Sequence, residues 1–200
     1  MLSEYAESDN AELKTLLVDL LNYGAAAQIY TDYNTDSLAN ASLTDEQAAW
    51  GTDTADELND ALNAKYEEIE NPVVKWKSVG LNLKNSVSIR FKIAAESCDN
   101  LTVKVTSESG QEWTILNGDF DSAGNGCYYV YFENLSAYQM REKIYATVYD
   151  GDTAVSNTLC YSIESYAYAA QSGSNENLKN LLDAMIKYGD SAYNYKQSIG

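Results

Sequence analysis

From residue 73 to residue 164 the apolar residues recur at every second position, which is the period of a half-buried β-strand and not of a helix. Val87, Ile89, Phe91 and Ile93 alternate with Ser88, Arg90 and Lys92; Leu101, Val103 and Val105 alternate with Thr102, Lys104 and Thr106. Trp113 and Ile115 share a phase, Tyr128, Val130 and Phe132 alternate with Tyr129 and Tyr131, and Ile144, Ala146 and Val148 alternate with Tyr145, Thr147 and Tyr149. Leu159, Tyr161 and Ile163 close the series, and Ser109-Gly110, Asn117-Gly118, Asn125-Gly126 and Asp150-Gly151 supply turns between the runs. About seven short strands in about 92 residues predict an antiparallel β-sandwich of immunoglobulin-like size. Residues 134–140 predict the crossover between its sheets.

The flanks follow helical spacing instead. Residues 13–30 (LKTLLVDLLNYGAAAQIY) and 178–195 (LKNLLDAMIKYGDSAYNY) are an internal repeat, identical at eight of eighteen positions. Leu13, Leu16, Leu17, Leu20 and Tyr23 predict one apolar stripe, and Leu178, Leu181, Leu182, Met185 and Tyr188 its counterpart. Gly24 and Gly189 fall inside these helices, where glycine costs up to about 1 kcal/mol against alanine, so they read as points of close packing. Thr44 with Gln47 has the capping-box pattern and predicts a short helix over 45–50. Leu58, Ala61, Leu62, Tyr66 and Ile69 predict another helix over 55–69, stopped before Pro72. The whole is therefore expected to be α+β, an antiparallel immunoglobulin-like sandwich flanked by N- and C-terminal helical segments. The expected divisions are 1–71 helical, 72–168 sandwich, and 169–200 a helix related to residues 13–30.

Charge and composition exclude several functions. Thirteen Lys and Arg against thirty Asp and Glu leave a net charge of −17, which argues against nucleic acid as a partner. No apolar run approaches the length of a membrane span, so no membrane insertion is expected. The absence of histidine removes His-dependent triads and His-ligated metal sites. Thirty acids make some carboxylate pair inevitable, so a pair says nothing about glycosidase chemistry. Asp119-Phe120-Asp121 begins like a calcium loop, but Ala123 stands at a ligand position and no Glu closes the loop, so a hairpin is the better reading. No cofactor, metal or enzymatic role is expected. Cys98, Cys127 and Cys160 read as free thiols, with one pairing left open should two lie on adjacent strands. Residues 1–4 carry no signal-peptide pattern, so the protein is either cytoplasmic or a piece of a longer exported chain, and the repeat favours the piece.

Tyrosine is over-represented, at 17 against 3 Phe and 3 Trp. Its amphipathic ring suits wet, sugar-facing surfaces. Two candidate surfaces follow. Tyr129, Tyr131, Tyr145 and Tyr149 would line one outer sheet face if their strands were neighbours; Tyr30, Tyr33 and Trp50 lie in the polar stretch after the first repeat helix. Trp76 is a core or rim residue of the sandwich and a possible border of a groove. The first choices for ligand binding are Trp50, Tyr30, Tyr33, Tyr129, Tyr131 and Trp76.

Tyr23-Gly24-Ala25-Ala26-Ala27-Gln28 with Tyr30, Tyr33-Asn34 and Leu38-Ala39-Asn40 resembles a module of clostridial surface proteins, as does Tyr161 to Ala167 leading into Leu181-Leu182 and Tyr188-Gly189. Such β-sandwich and helix modules occur in multidomain surface proteins of gut Firmicutes, including starch-adherence proteins of Ruminococcus type. The resemblance covers most of the chain. It implies an extracellular or cell-surface location, other domains of a larger parent protein, and non-catalytic binding of a polysaccharide, with a starch-like α-glucan favoured. The alternative is a structural or adhesive spacer, or a protein-interaction module, with no glycan binding. The repeat favours that alternative.

Overall fold

The alternating segment does form strands. In the computed structural model, which describes residues 10–59, 65–66, 68–83 and 87–200, they make two antiparallel sheets, with helices towards both ends of the chain. β1 (Lys65–Tyr66), β10 (Thr158–Tyr161), β8 (Ile144–Asp150), β4 (Leu101–Ser107) and β5 (Glu112–Leu116) lie side by side in that order, with β9 (Thr153–Ala154) also paired to β8. The second sheet runs β2 (Lys75–Asn82), β3 (Ser88–Ala94), β7 (Cys127–Phe132), β6 (Asp121–Gly124).

The strand period places one phase of each strand inside. Ile89, Phe91 and Ile93 of β3, Val130 and Phe132 of β7, Val103 and Val105 of β4, and Ile144, Ala146 and Val148 of β8 are all buried. Full burial of a branched or aromatic side chain stabilises by roughly 1.5–3 kcal/mol. The two sheets touch through this phase: the Trp113 and Phe132 rings meet edge to face at 5.1 Å. The β6–β7 turn uses Asn125 and Gly126, both at positive φ (53° and 66°), which is the backbone that matches the twist of a two-residue hairpin. The Asp119–Asn125 stretch is thus a short 3-10 turn (Asn117–Asp119) followed by a strand and a hairpin turn.

Two expectations are corrected. Residues 55–59 are not helical, and Lys65–Tyr66 is an edge strand paired with Leu159 and Thr158. The physical reason is tertiary: the Glu164 carboxylate accepts the Asn59 backbone N–H at 3.1 Å, and β10 takes the backbone of 65–66. Ala61 and Leu62, on which the helical reading leaned, lie outside the described residues. The single four-tyrosine face also fails. β7 and β8 belong to different sheets, so Tyr129 and Tyr131 stand on one sheet and Tyr145 and Tyr149 on the other. Residues 134–140 do cross from one sheet to the other, as the sequence suggests.

The chain divides into two units. The sheet unit comprises Asn59–Leu135 and Glu142–Tyr166; the helical unit comprises Met1–Leu58, Ser136–Arg141 and Ala167–Gly200. The sequence suggests divisions at 71/72 and 168/169, and not the return of Ser136–Arg141 to the helices.

The helical unit is built on α1 (Ala11–Thr31) and α4 (Glu176–Ile199), with the short α2 (Asp45–Ala48); α3 (Ile163–Ala170) runs across the second division. The two repeat helices pack on each other. Tyr23 and Tyr188, which match in the repeat, stack face to face at 5.7 Å with 5° between their planes. Burial and then the neighbouring Tyr188 raise the pKa of Tyr23. The repeat extends further than its apolar residues: Asn10 caps α1 by accepting from Leu13 N, and Asn175 caps α4 by accepting from Leu178 N. The α4 stripe is buried at Leu181, Leu182 and Met185. In α1 the burial shifts to Val18, Asp19 and Ala25, and Leu20 is 41% exposed, because the Gly51-Thr52 turn covers the Val18–Asp19 side. α2 carries the expected capping box between Thr44 and Gln47.

Both repeat glycines are close approaches. A Cβ on Gly189 would lie 3.0 Å from Met140 Cβ, and one on Gly24 would lie 3.1 Å from Ala39 Cβ.

Cys98, Cys127 and Cys160 are free thiols. Burial pushes the Cys160 thiol pKa up, which keeps it in the unreactive protonated form. Tyr161, 1% exposed, has its pKa raised well above 10 by burial and then by Tyr166. The unfolded phenol ionises near pH 10 while the folded one stays neutral, so the unfolded state binds fewer protons there and stability falls as pH rises above about 10. Each such group contributes a slope of about 1.4 kcal/mol per pH unit in that window. Urea midpoints between pH 9 and 11.5 should fall less steeply in Tyr161→Phe than in the parent; equal slopes would remove Tyr161 as the source.

Candidate functional site

The outer phase of β5, β4, β8 and β10 is polar and aromatic, and it forms an open groove of about 570 Å³. Strand register builds it. Lys104 stands opposite Thr114 and Thr147, and Thr106 opposite Glu112 and Tyr145. The Thr147 and Thr158 hydroxyls are 2.7 Å apart across β8 and β10. Tyr149 lies two residues beyond Thr147 on the same face, with the Lys104 ammonium 4.3 Å from its ring centroid. Tyr145 and Tyr149 are half-buried. The groove thus offers two phenol rings, threonine hydroxyls, one ammonium and one carboxylate. Rings of this kind stack on the CH face of a sugar, and hydroxyls with paired charges bond its polar rim.

The expected binding residues divide between the two units, Trp50, Tyr30 and Tyr33 in the helical unit and Trp76, Tyr129 and Tyr131 in the sheet unit. Trp50 is half-buried with the Lys14 ammonium 4.9 Å from its ring, so it lies beside the first turns of α1. Tyr30 is half-buried in the last turn of the same helix, about 24 Å further along at 1.5 Å per residue. Tyr33 follows it and is 72% exposed. Trp50 is held by its neighbours: Thr52 donates its N–H and its hydroxyl to the buried Asp19 carboxylate, at 2.9 and 2.7 Å. Trp76 is a packing residue of the sheet unit. Its ring tilts against Phe91 at 5.5 Å, and its Nε1–H donates to the Asn157 carbonyl at 2.7 Å. Tyr129 and Tyr131 do stay together, on the outer face of the four-stranded sheet, with ring centroids 6.4 Å apart.

The YGAAAQ element is used for packing. Tyr23 stacks on Tyr188 and Gly24 admits Ala39. Gln28 templates the loop that follows: its Nε2 donates to the Asn34 and Ser37 carbonyls at 3.1 and 3.0 Å, and its Oε1 accepts from Ala39 N at 2.7 Å. Asn40 donates to Asn22 at 2.9 Å. Leu38-Ala39-Asn40 is thereby held against the YGAAAQ element.

Sequence reasoning passed over Lys104, Arg90 and Lys92. The signal was present: each sits in the polar phase of an alternating strand, beside tyrosines of the adjacent strand. Among the described residues no helix is long and apolar enough to cross a membrane. Comparison with protein-family models, curated proteins and solved structures returned no match.

Proposed function

We propose that the chain is a non-catalytic carbohydrate-binding module of a secreted or cell-surface bacterial protein, with a starch-like α-glucan as the favoured ligand. The sheet unit is read as an immunoglobulin-type sandwich. In support, the orders β2-β3-β7-β6 and β5-β4-β8-β10 correspond to strands A-B-E-D and C′-C-F-G of that fold. The observation that carries the function is the groove with Tyr145 and Tyr149 on its floor. This moves the first choice of binding residues from Trp50, Tyr30 and Tyr33 to the outer face of the six-stranded sheet. Titration calorimetry with maltoheptaose and xylohexaose tests it. Binding of maltoheptaose that weakens about tenfold or more in Tyr149→Ala, and persists in Trp50→Ala, is the expected result. No heat with either sugar at millimolar concentration rejects the reading.

The second reading is a structural or adhesive spacer. It is favoured by a specific observation: Tyr23 and Tyr188, shared by the two repeat helices, stack on each other, the shared glycines admit Ala39 and Met140, and Asn10 and Asn175 cap the two helices. Under it, the sugar titrations are flat.

A further inference from the structure

We propose that the outer face of the four-stranded sheet is a second binding site, for a sugar ring that carries a carboxylate, such as a uronic acid residue. This goes beyond the groove reading and does not depend on it, since the two faces belong to different sheets.

The face is built by β3 and β7. Arg90 is the cross-strand partner of Tyr131, and Lys92 of Tyr129. The Arg90 guanidinium lies 5.0 Å and the Lys92 ammonium 5.5 Å from the Tyr129 ring centroid. Two residues apart on one strand face, the two cations stand about 7 Å from each other at their Cα atoms. Two like charges so placed repel. The chain has more than twice as many acids as bases, thirty against thirteen, yet the ion pairs of the described residues fall elsewhere, at Arg141–Asp190, Lys143–Glu108, Lys179–Glu176 and Lys187–Asp183. Among the described residues, Arg90 and Lys92 face the Tyr129 ring and no carboxylate pairs with them. They form a local positive spot, desolvated on one side by an aromatic ring, in a protein whose overall field repels anions.

The chemistry that completes such a spot is one planar anion. A guanidinium donates two parallel N–H bonds to a carboxylate, and the neighbouring ammonium supplies a third donor. Tyr131 makes the site a sugar site and not a bare anion site. Its ring is half-exposed beside Arg90, with no cation of the described residues over it, and can stack on the CH face of the pyranose that bears the carboxylate. Asp121, paired with Tyr129 from the edge strand β6, gives the far side an acceptor for sugar hydroxyls. It also fixes the orientation, with the ligand's carboxylate towards Arg90 and its hydroxyls towards Asp121.

Calorimetry with trigalacturonate tests the proposal, beside its methyl ester and maltotriose as neutral controls. Trigalacturonate should bind at low salt and weaken as salt rises, while the methyl ester binds at least tenfold more weakly. Arg90→Gln should cost about tenfold to a hundredfold, and Lys92→Gln and Tyr131→Ala should also weaken binding. Tyr149→Ala should leave it unchanged, which separates this site from the groove. Melting temperatures of the variants confirm folding, and Lys92→Gln stands in should Arg90→Gln not fold. Equal binding of the methyl ester, unchanged affinity in the Arg90 and Lys92 variants, or no binding at millimolar trigalacturonate overturns the proposal. Competition by inorganic sulfate as strong as by trigalacturonate overturns its sugar part.

Discussion

Phe91→Ala should lower the unfolding free energy by about 3–5 kcal/mol, the range for emptying a fully enclosed aromatic position. Phe91 is 0% exposed, at the middle of β3, with Val79 and Val130 as its cross-strand partners and Trp76 tilted against its ring. The cavity lies in the central strands of the four-stranded sheet, where backbone pairing on both sides limits collapse. Because total stabilities are typically 5–15 kcal/mol, this one change removes a large fraction. Urea unfolding followed by amide exchange in β3 and β7 measures it. A loss below about 1 kcal/mol would mean that the sheet unit relaxes around the void, contrary to the packing described.

Asp190→Ala should cost about 2–3 kcal/mol, expressed in the helical unit. Arg141 donates Nε–H and Nη2–H to the two Asp190 oxygens at 2.6 and 2.8 Å, and Nη1 and Nη2 also reach the Glu57 and Asp56 carbonyls at 3.2 and 3.1 Å. One guanidinium thus ties α4, the Ser136–Arg141 crossover and the 56–57 segment together. The pair is only a quarter and a fifth exposed, so water repays little of the loss, but that exposure keeps the figure below that of a fully buried pair. Arg141→Lys keeps the charge and loses the planar fork, so it should fall between the parent and Asp190→Ala. Lys equal to Arg in a denaturation series would show that charge alone suffices.

Much of the fold is legible in the sequence because strand alternation is a local property. The inward phase read from Ile89, Phe91 and Ile93 is the phase found buried. What was not legible is long-range. Nothing local says that β7 and β8 join different sheets, and that assignment decides whether four tyrosines share one face. The helical spacing of 55–69 is real as a pattern, but a partner strand about ninety residues away claims part of it. The binding surfaces were harder still. A strand's polar phase looks like solvent-facing decoration until register sets Lys104 against Thr147 and Arg90 against Tyr131. Trp50 is a lone aromatic in a polar stretch of the sequence, yet a lysine of α1 lies over its ring.

The stacked Tyr23 and Tyr188 have a consequence for how the chain is made. During synthesis α1 emerges about 165 residues before its partner. At ordinary ribosomal rates that is on the order of ten seconds or more with an apolar helix face uncovered. The sheet unit can pair its strands in that interval; the helical unit cannot close until the last turns of α4 arrive. Any condition that delays the ribosome within the strands lengthens the time for which α1 waits, and with it the time open to chaperones and to neighbouring chains.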